Sequence, residues 1–183
     1  MSNAVLISIR PEWCEKIASG EKTIEVRKTK PSAILPLKCY IYCTKPSFPH
    51  EDFLVFDAGT NKVKAFYGGG KVIGEFICDE IRRIDIPFPA YWAEIDKSIL
   101  DGTCLSLTQA HNYLGHRSGY GWKISDLVIY DTPKELSEFK RWNRTEENSP
   151  CAHTKWLYEP CETCSDCNVK HPPQSWMFVE ELP

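Results

Sequence analysis

No apolar run in this chain approaches the ~18 residues that a membrane-spanning helix needs, so no segment reads as a membrane span. The stretch Ala4-Val5-Leu6-Ile7 is met at once by Ser8 and Arg10 and lacks the core of a signal peptide, so a cytoplasmic protein with no membrane partner is expected. There is no internal repeat and no low-complexity tract, and the ordinary composition speaks against disordered, collagen-like and coiled-coil classes. Gly68-Gly69-Gly70-Lys71 has neither the Gly-x-x-x-x-Gly-Lys spacing nor a following Ser or Thr, and reads as a flexible turn rather than a phosphate loop. A Ser-His-Asp order and a nucleophile elbow are also missing, so His111 and His116 are given surface or helix-cap roles.

What is present is an ordinary globular composition, 42% hydrophobic and 26% charged over 183 residues. That length suits one domain, 1–183, able to bury roughly 70% of the surface of its unfolded chain. The net charge of −3 is unevenly spread: residues 1–45 carry eight Lys and Arg against four Glu. A basic first quarter on an acidic body suits a local anionic ligand better than a non-specific nucleic-acid coat, unless those charges are simply solvated. Nine cysteines without an export signal are thiols or metal ligands rather than a disulfide framework.

Residues 4–10 read as a strand, and Pro11 opens a helix whose apolar Trp13, Cys14, Ile17 and Ala18 share one face and whose stop is Gly20. A second strand covers 23–28, with Ile24 and Val26 toward the core and Thr23, Glu25 and Arg27 on the opposite face. A third covers 38–43, Cys39 and Cys43 being core residues. A hairpin set into the barrel wall is expected at 53–56 and 62–66, a long strand at 72–85, irregular chain at 90–105 and a helix at 106–114. A strand at 123–130 bends near Ser125, Pro133 starts a short helix to about residue 140, and 174–181 closes the fold. Strands dominate and do not alternate with helices, which implies an α+β fold: a mixed, partly closed β-barrel with a few short peripheral helices.

The run Gly20-Glu21-Lys22-Thr23-Ile24-Glu25-Val26-Arg27 resembles the Gly-x-Lys-x-x-Glu-x-Arg signature of ASCH domains. Ser8-Ile9-Arg10-Pro11, Lys71-Val72-Ile73-Gly74-Glu75-Phe76 and Tyr120-Gly121-Trp122-Lys123-Ile124-Ser125-Asp126-Leu127 extend the likeness over about residues 4–140. The resemblance implies a PUA-like barrel whose cleft beside the signature strand binds RNA or a nucleotide. The residues themselves agree in kind. Glu25 can accept from an exocyclic amine, Arg27 can fork onto a base edge or a phosphate, and Lys22 at the cleft mouth, joined by Arg10, adds positive charge. Trp122, with Trp13, Tyr40 and Tyr42, is a candidate for stacking on an unpaired base. The competing reading makes Glu25 and Arg27 a structural ion pair and all four aromatics core.

The resemblance also offers an enzyme, an amidohydrolase of acetylated cytidine-like nucleosides that uses a Lys and a Thr of the signature strand and a more distant Glu. Lys22 matches, but Glu25 stands where that Thr would be, so the implied nucleophile is missing. Glu25 would then be a general base with Lys22 or Arg27 stabilising the oxyanion, and Glu75 a second acid; Thr23 is a substitute nucleophile only in principle. Binding therefore ranks above hydrolysis.

A third reading, a metal-stabilised protein-interaction domain, comes from the Cys-rich segment 143–173. Cys161-x-x-Cys164-x-x-Cys167-x-x-x-His171, with Cys151 and His153 upstream, supplies enough ligands for a structural zinc in a stretch with few apolar residues of its own. The run also resembles a ferredoxin pattern with His171 in place of the fourth cysteine, which makes an iron–sulfur cluster the alternative to zinc. Free thiols are the remaining option. Elemental analysis of purified protein is expected to find zinc at about one equivalent; a folded, metal-free protein would remove the site.

Overall fold

The computed structural model describes residues 3–45, 53–57, 62–66, 69–115, 117–142 and 167–182. In chain order these form β1 (Asn3–Ile9), α1 (Pro11–Ala18), β2 (Ile24–Arg27), β3 (Leu37–Cys43), β4 (Phe53–Asp57), β5 (Lys62–Phe66), β6 (Lys71–Cys78) and β7 (Ile81–Ile84). They continue with α2 (Leu107–Leu114), β8 (Gly119–Lys123), β9 (Ser125–Lys134) and β10 (Trp176–Glu180). Short 3-10 turns cover Pro89–Glu94, Lys97–Leu100 and Leu136–Glu138. None of the helices among the described residues is long and apolar enough to cross a membrane.

The architecture is the expected α+β one. A five-stranded sheet runs β10-β1-β3-β6-β9, and a three-stranded sheet runs β2-β8-β7. β1 and β3 are parallel, while β10, β6 and β9 join antiparallel. The parallel pair lies at the middle of the sheet and is buried on both faces, which is why its strands are nearly continuous apolar runs. Val5, Ile7, Ile9, Cys39, Ile41 and Cys43 enter one core cluster together with Cys14 and Ile17 of α1 and Trp122 of β8. Ala4, Leu6, Tyr40 and Tyr42 enter a second cluster on the other face, closed by Phe139, Val169 and Val179. Cys39 and Cys43 are core residues as expected. Burial, with a hydrogen bond to Cys43, pushes the Cys14 thiol well above its ordinary range, so it packs as a neutral group.

The one long strand read at 72–85 is divided, and the bend expected near Ser125 is a second change of sheet. The stretch 72–85 becomes β6 in the larger sheet and β7 in the smaller, and the run continuing to Tyr130 becomes β8 and β9, split the other way. The crossings are tied together: Lys123 N donates to the Glu80 carbonyl at 3.0 Å, and Asp79 accepts from Lys123 Nζ at 3.1 Å and from Ser125 Oγ at 3.2 Å. Asp126 takes a φ of +49° at the second corner. Polar residues, rather than glycine or proline, make these corners; the one beside Ser125 is the bend expected there, while the alternation of 72–85 runs through the other. The hairpin of β4 and β5 pairs as a separate two-stranded sheet. Residues after Pro133 make only the 3-10 turn Leu136–Glu138, because β9 runs on to Lys134.

Gly74 lets β6 and β9 approach: a Cβ there would lie 2.3 Å from the Val128 carbonyl oxygen. Gly74→Ala is expected to cost about 2 kcal/mol, since strand backbone rather than a movable side chain must give way. Urea denaturation measures this, and unchanged stability would mean that the ladder tolerates displacement there.

Candidate functional site

α1 ends at Ala18 with Ser19 as its C-cap, and Gly20, at φ +78°, turns the chain so that Lys22 N donates to the Lys16 carbonyl at 2.8 Å. Outside this turn Lys16 and Glu21 pair at 2.6 Å, and the hydrogen bond from Lys16 holds the Glu21 carboxyl below its ordinary range. β2 then pairs antiparallel with β8, Glu25 opposite Trp122 and Arg27 opposite Tyr120. Val26 joins the small core of Ile84, Leu100, Ala110 and Leu114, while Glu25 and Arg27 line a cavity, the two-face division expected of this strand.

The charged groups form a buried triad. Glu25 lies 3.3 Å from Lys22 Nζ through one carboxylate oxygen and 3.2 Å from Arg27 Nη2 through the other. The Lys22, Glu25 and Arg27 side chains are only 2%, 8% and 7% exposed. Lys22 Nζ also donates to the carbonyls of Ile24 at 2.8 Å and Thr103 at 2.7 Å, which with Glu25 uses its three protons. Its charge lies 5.3 Å from the centre of the Trp13 ring. Arg27 Nη2 additionally donates to the Ser8 carbonyl. Arg27 Nε is buried with no acceptor among the described residues.

The cavity measures about 750 Å³, within the usual range for small-molecule sites. It opens at the C-terminal ends of the parallel β1–β3 pair. Arg10, Glu12 and Trp13 come from the start of α1, Lys22 to Lys28 from the β2 stretch, and Gln109, Asn112 and Tyr113 from α2; Thr44 and the Pro173-Gln174 turn complete it. α2 starts on a capping box in which Ser106 and Gln109 bond reciprocally, and Tyr113 projects from its far end. Burial pushes the Tyr113 hydroxyl up, and Arg27 beside it opposes that shift. Lys28 Nζ sits 5.3 Å from the centre of the Tyr113 ring.

Several sequence expectations are thereby relocated. Lys22 does not guard the mouth; it is held in the wall by two carbonyls and Glu25. Arg10 is at the rim, 77% exposed and 3.9 Å from Glu12. Trp122 is 0% exposed in the main core and does not line the cavity, because β8 turns it inward against Trp176. Tyr40 and Tyr42 are buried in the second core cluster, across the sheet from the cavity. Trp13 does line it. Tyr113, Lys28 and Asn112 are cavity residues that no sequence motif marked; an exposed tyrosine on a short polar helix was the available signal.

Glu75 faces away from the triad, 3.4 Å from Lys38 and hydrogen-bonded by Tyr130 at 2.5 Å. Thr23 is exposed and its N donates to the Gly102 carbonyl at 2.8 Å. His111 stacks edge-on with Trp92 at 5.7 Å, and His116 lies outside the described residues. So do Cys151, His153, Cys161 and Cys164. Cys167 is half-buried, its carbonyl accepting from Arg141 N at 3.0 Å, and His171 is exposed. Among the described residues, no group of three or more His, Cys, Asp and Glu is placed to hold a metal ion.

Removing the carboxylate from this triad strands two buried cations, so Glu25→Ala is expected to destabilise the fold by about 3–5 kcal/mol, read from urea denaturation. A loss under about 1 kcal/mol would mean that water relieves both cations.

Compared by sequence, neither a family model nor a curated protein matches the chain. Compared by structure, it is similar to ZmASCH from Zymomonas mobilis. With the crystal structure of a tyrosine-to-phenylalanine variant of that protein it shares 19% identity at a TM-score of 0.56, over 97% of this chain and 91% of that one. A serine-to-alanine variant gives 19% and 0.56, over 97% and 89%. The crystal structure of ASCH from Zymomonas mobilis gives 20% and 0.55, over 97% and 88%. At such identities the likeness is one of fold, and on that ground the chain has the fold of an ASCH domain protein.

Proposed function

We propose that the cavity binds a nucleotide, free or as an unpaired residue of single-stranded RNA. The observation that carries this reading is the buried Glu25, set between Lys22 and Arg27 at the wall of a cavity of about 750 Å³ with Trp13 and Tyr113 on its lining. Lys22 and Arg27 keep Glu25 oriented as an acceptor, suited to an exocyclic amine on a base edge. Trp13 offers a ring face for stacking. Arg10 and Lys28 place positive charge where an approaching phosphate backbone passes.

Hydrolysis of an acetylated cytidine-like nucleoside is the second reading, and the 3.3 Å contact between Lys22 and Glu25 is what favours it. Water would be the nucleophile and Glu25 its base, since Thr23 and Glu75 both lie away from the cavity. Acetate release that Glu25→Gln abolishes would establish this reading over simple binding.

The structural zinc belongs to the same proposal. Its support is the ligand spacing, together with the anchoring of the segment's end by Val169, which is buried and donates its N–H to the Phe139 carbonyl at 2.7 Å.

Trp13→Ala is expected to weaken binding of a short single-stranded RNA by about 1–3 kcal/mol, with a separate loss of stability because Trp13 also packs against the main core. Fluorescence anisotropy at two salt concentrations measures it, alongside a Lys22→Ala, Arg27→Ala double variant. Binding unaltered in a folded double variant would sink the proposal.

A further inference from the structure

We propose that the ligand must be anionic where it meets Arg27: a nucleotide bearing a phosphate, not a neutral nucleoside, with the phosphate taken up at the Arg27 guanidinium. This rests on the nucleotide reading above and decides between the two roles, base edge or phosphate, open to this arginine.

The first ground is charge. Lys22 and Arg27 share a single carboxylate, Glu25, so the buried triad holds one unit of uncompensated positive charge. Burying a net charge is costly unless a counter-charge arrives. The wider lining repeats the imbalance: Arg10, Lys22, Arg27 and Lys28 stand against Glu12 and Glu25.

The second ground is hydrogen bonding. Lys22 has spent its three protons on Glu25, Ile24 and Thr103 and has none for a ligand. Arg27 is different. Its Nη2 serves Glu25 and the Ser8 carbonyl, and the guanidinium also hydrogen-bonds the Tyr113 hydroxyl, but its Nε finds no acceptor among the described residues although it is buried. An orphaned guanidinium N–H, on a side chain that lines the cavity and carries the surplus charge, calls for an oxygen-rich acceptor. A phosphate meets both needs at once, and the forked donor geometry of arginine matches it. A base carbonyl would answer the hydrogen bond and leave the charge.

Calorimetric titration of the intact protein with each ribonucleoside, its 5′-monophosphate and inorganic phosphate alone tests this without any substitution. At least one monophosphate is expected to bind about tenfold or more tightly than its nucleoside, the effect of one charge-assisted hydrogen bond. That preference should persist in part in Arg27→Lys and vanish in Arg27→Gln, with circular dichroism confirming that both fold. A nucleoside that binds as tightly as its monophosphate overturns the inference and leaves the nucleotide cavity standing. Inorganic phosphate that binds while no nucleotide does so more tightly supports the anion site and overturns the nucleotide reading. If none of the probes binds, both fall.

Discussion

Everything around the cavity depends on one buried carboxylate shared by two cations. Glu25 sits between Lys22 and Arg27, and each cation also reaches a backbone carbonyl on a different segment: Thr103 beyond the second 3-10 turn, and Ser8 on β1. The triad therefore ties β2 both to the central sheet and to the chain that leads into α2. Such groups add little net stability, because desolvation consumes most of the attraction, but a misplaced partner is heavily penalised. That penalty holds β2 in one register and the cavity wall in one shape.

The fold supplies the space that the triad faces. A parallel β1–β3 pair, buried on both sides, ends at Ser8–Arg10 and Thr44, and α1 and α2 flank the opening. The two strand crossings, at Asp79–Glu80 and Lys123–Ser125, carry the chain between sheets so that β2 and β8 can close over the main core through Trp122. A crossing made by polar residues costs the sheet little, since their side chains satisfy one another at the corner.

Much of the site was legible in the signature strand because strand parity is a local property. Alternation put Glu25 and Arg27 on one face and Val26 on the other, and a glycine at the end of an amphipathic helix marked the turn before them. What alternation does not carry is depth. Lys22, charged and next to a turn, reads as exposed until Thr103, distant in sequence, is seen to supply a carbonyl beneath it. Trp122 and Trp13 are equally aromatic, yet the first faces the core from β8 and the second lines the cavity from α1; only packing partners separate them. Tyr113 had no motif, and its part in the site follows from where α2 is docked.

The sequence by itself determined the α+β class, the helix that ends at Gly20, the two faces of β2 and the likeness to ASCH domains, because each is written in spacing along neighbouring residues. The tertiary structure decided which charges are buried, which aromatics line the cavity and where long strands change sheets. Those outcomes depend on contacts between segments far apart in the chain, and no local pattern encodes a carbonyl some eighty residues away that takes the place of water on a buried ammonium group.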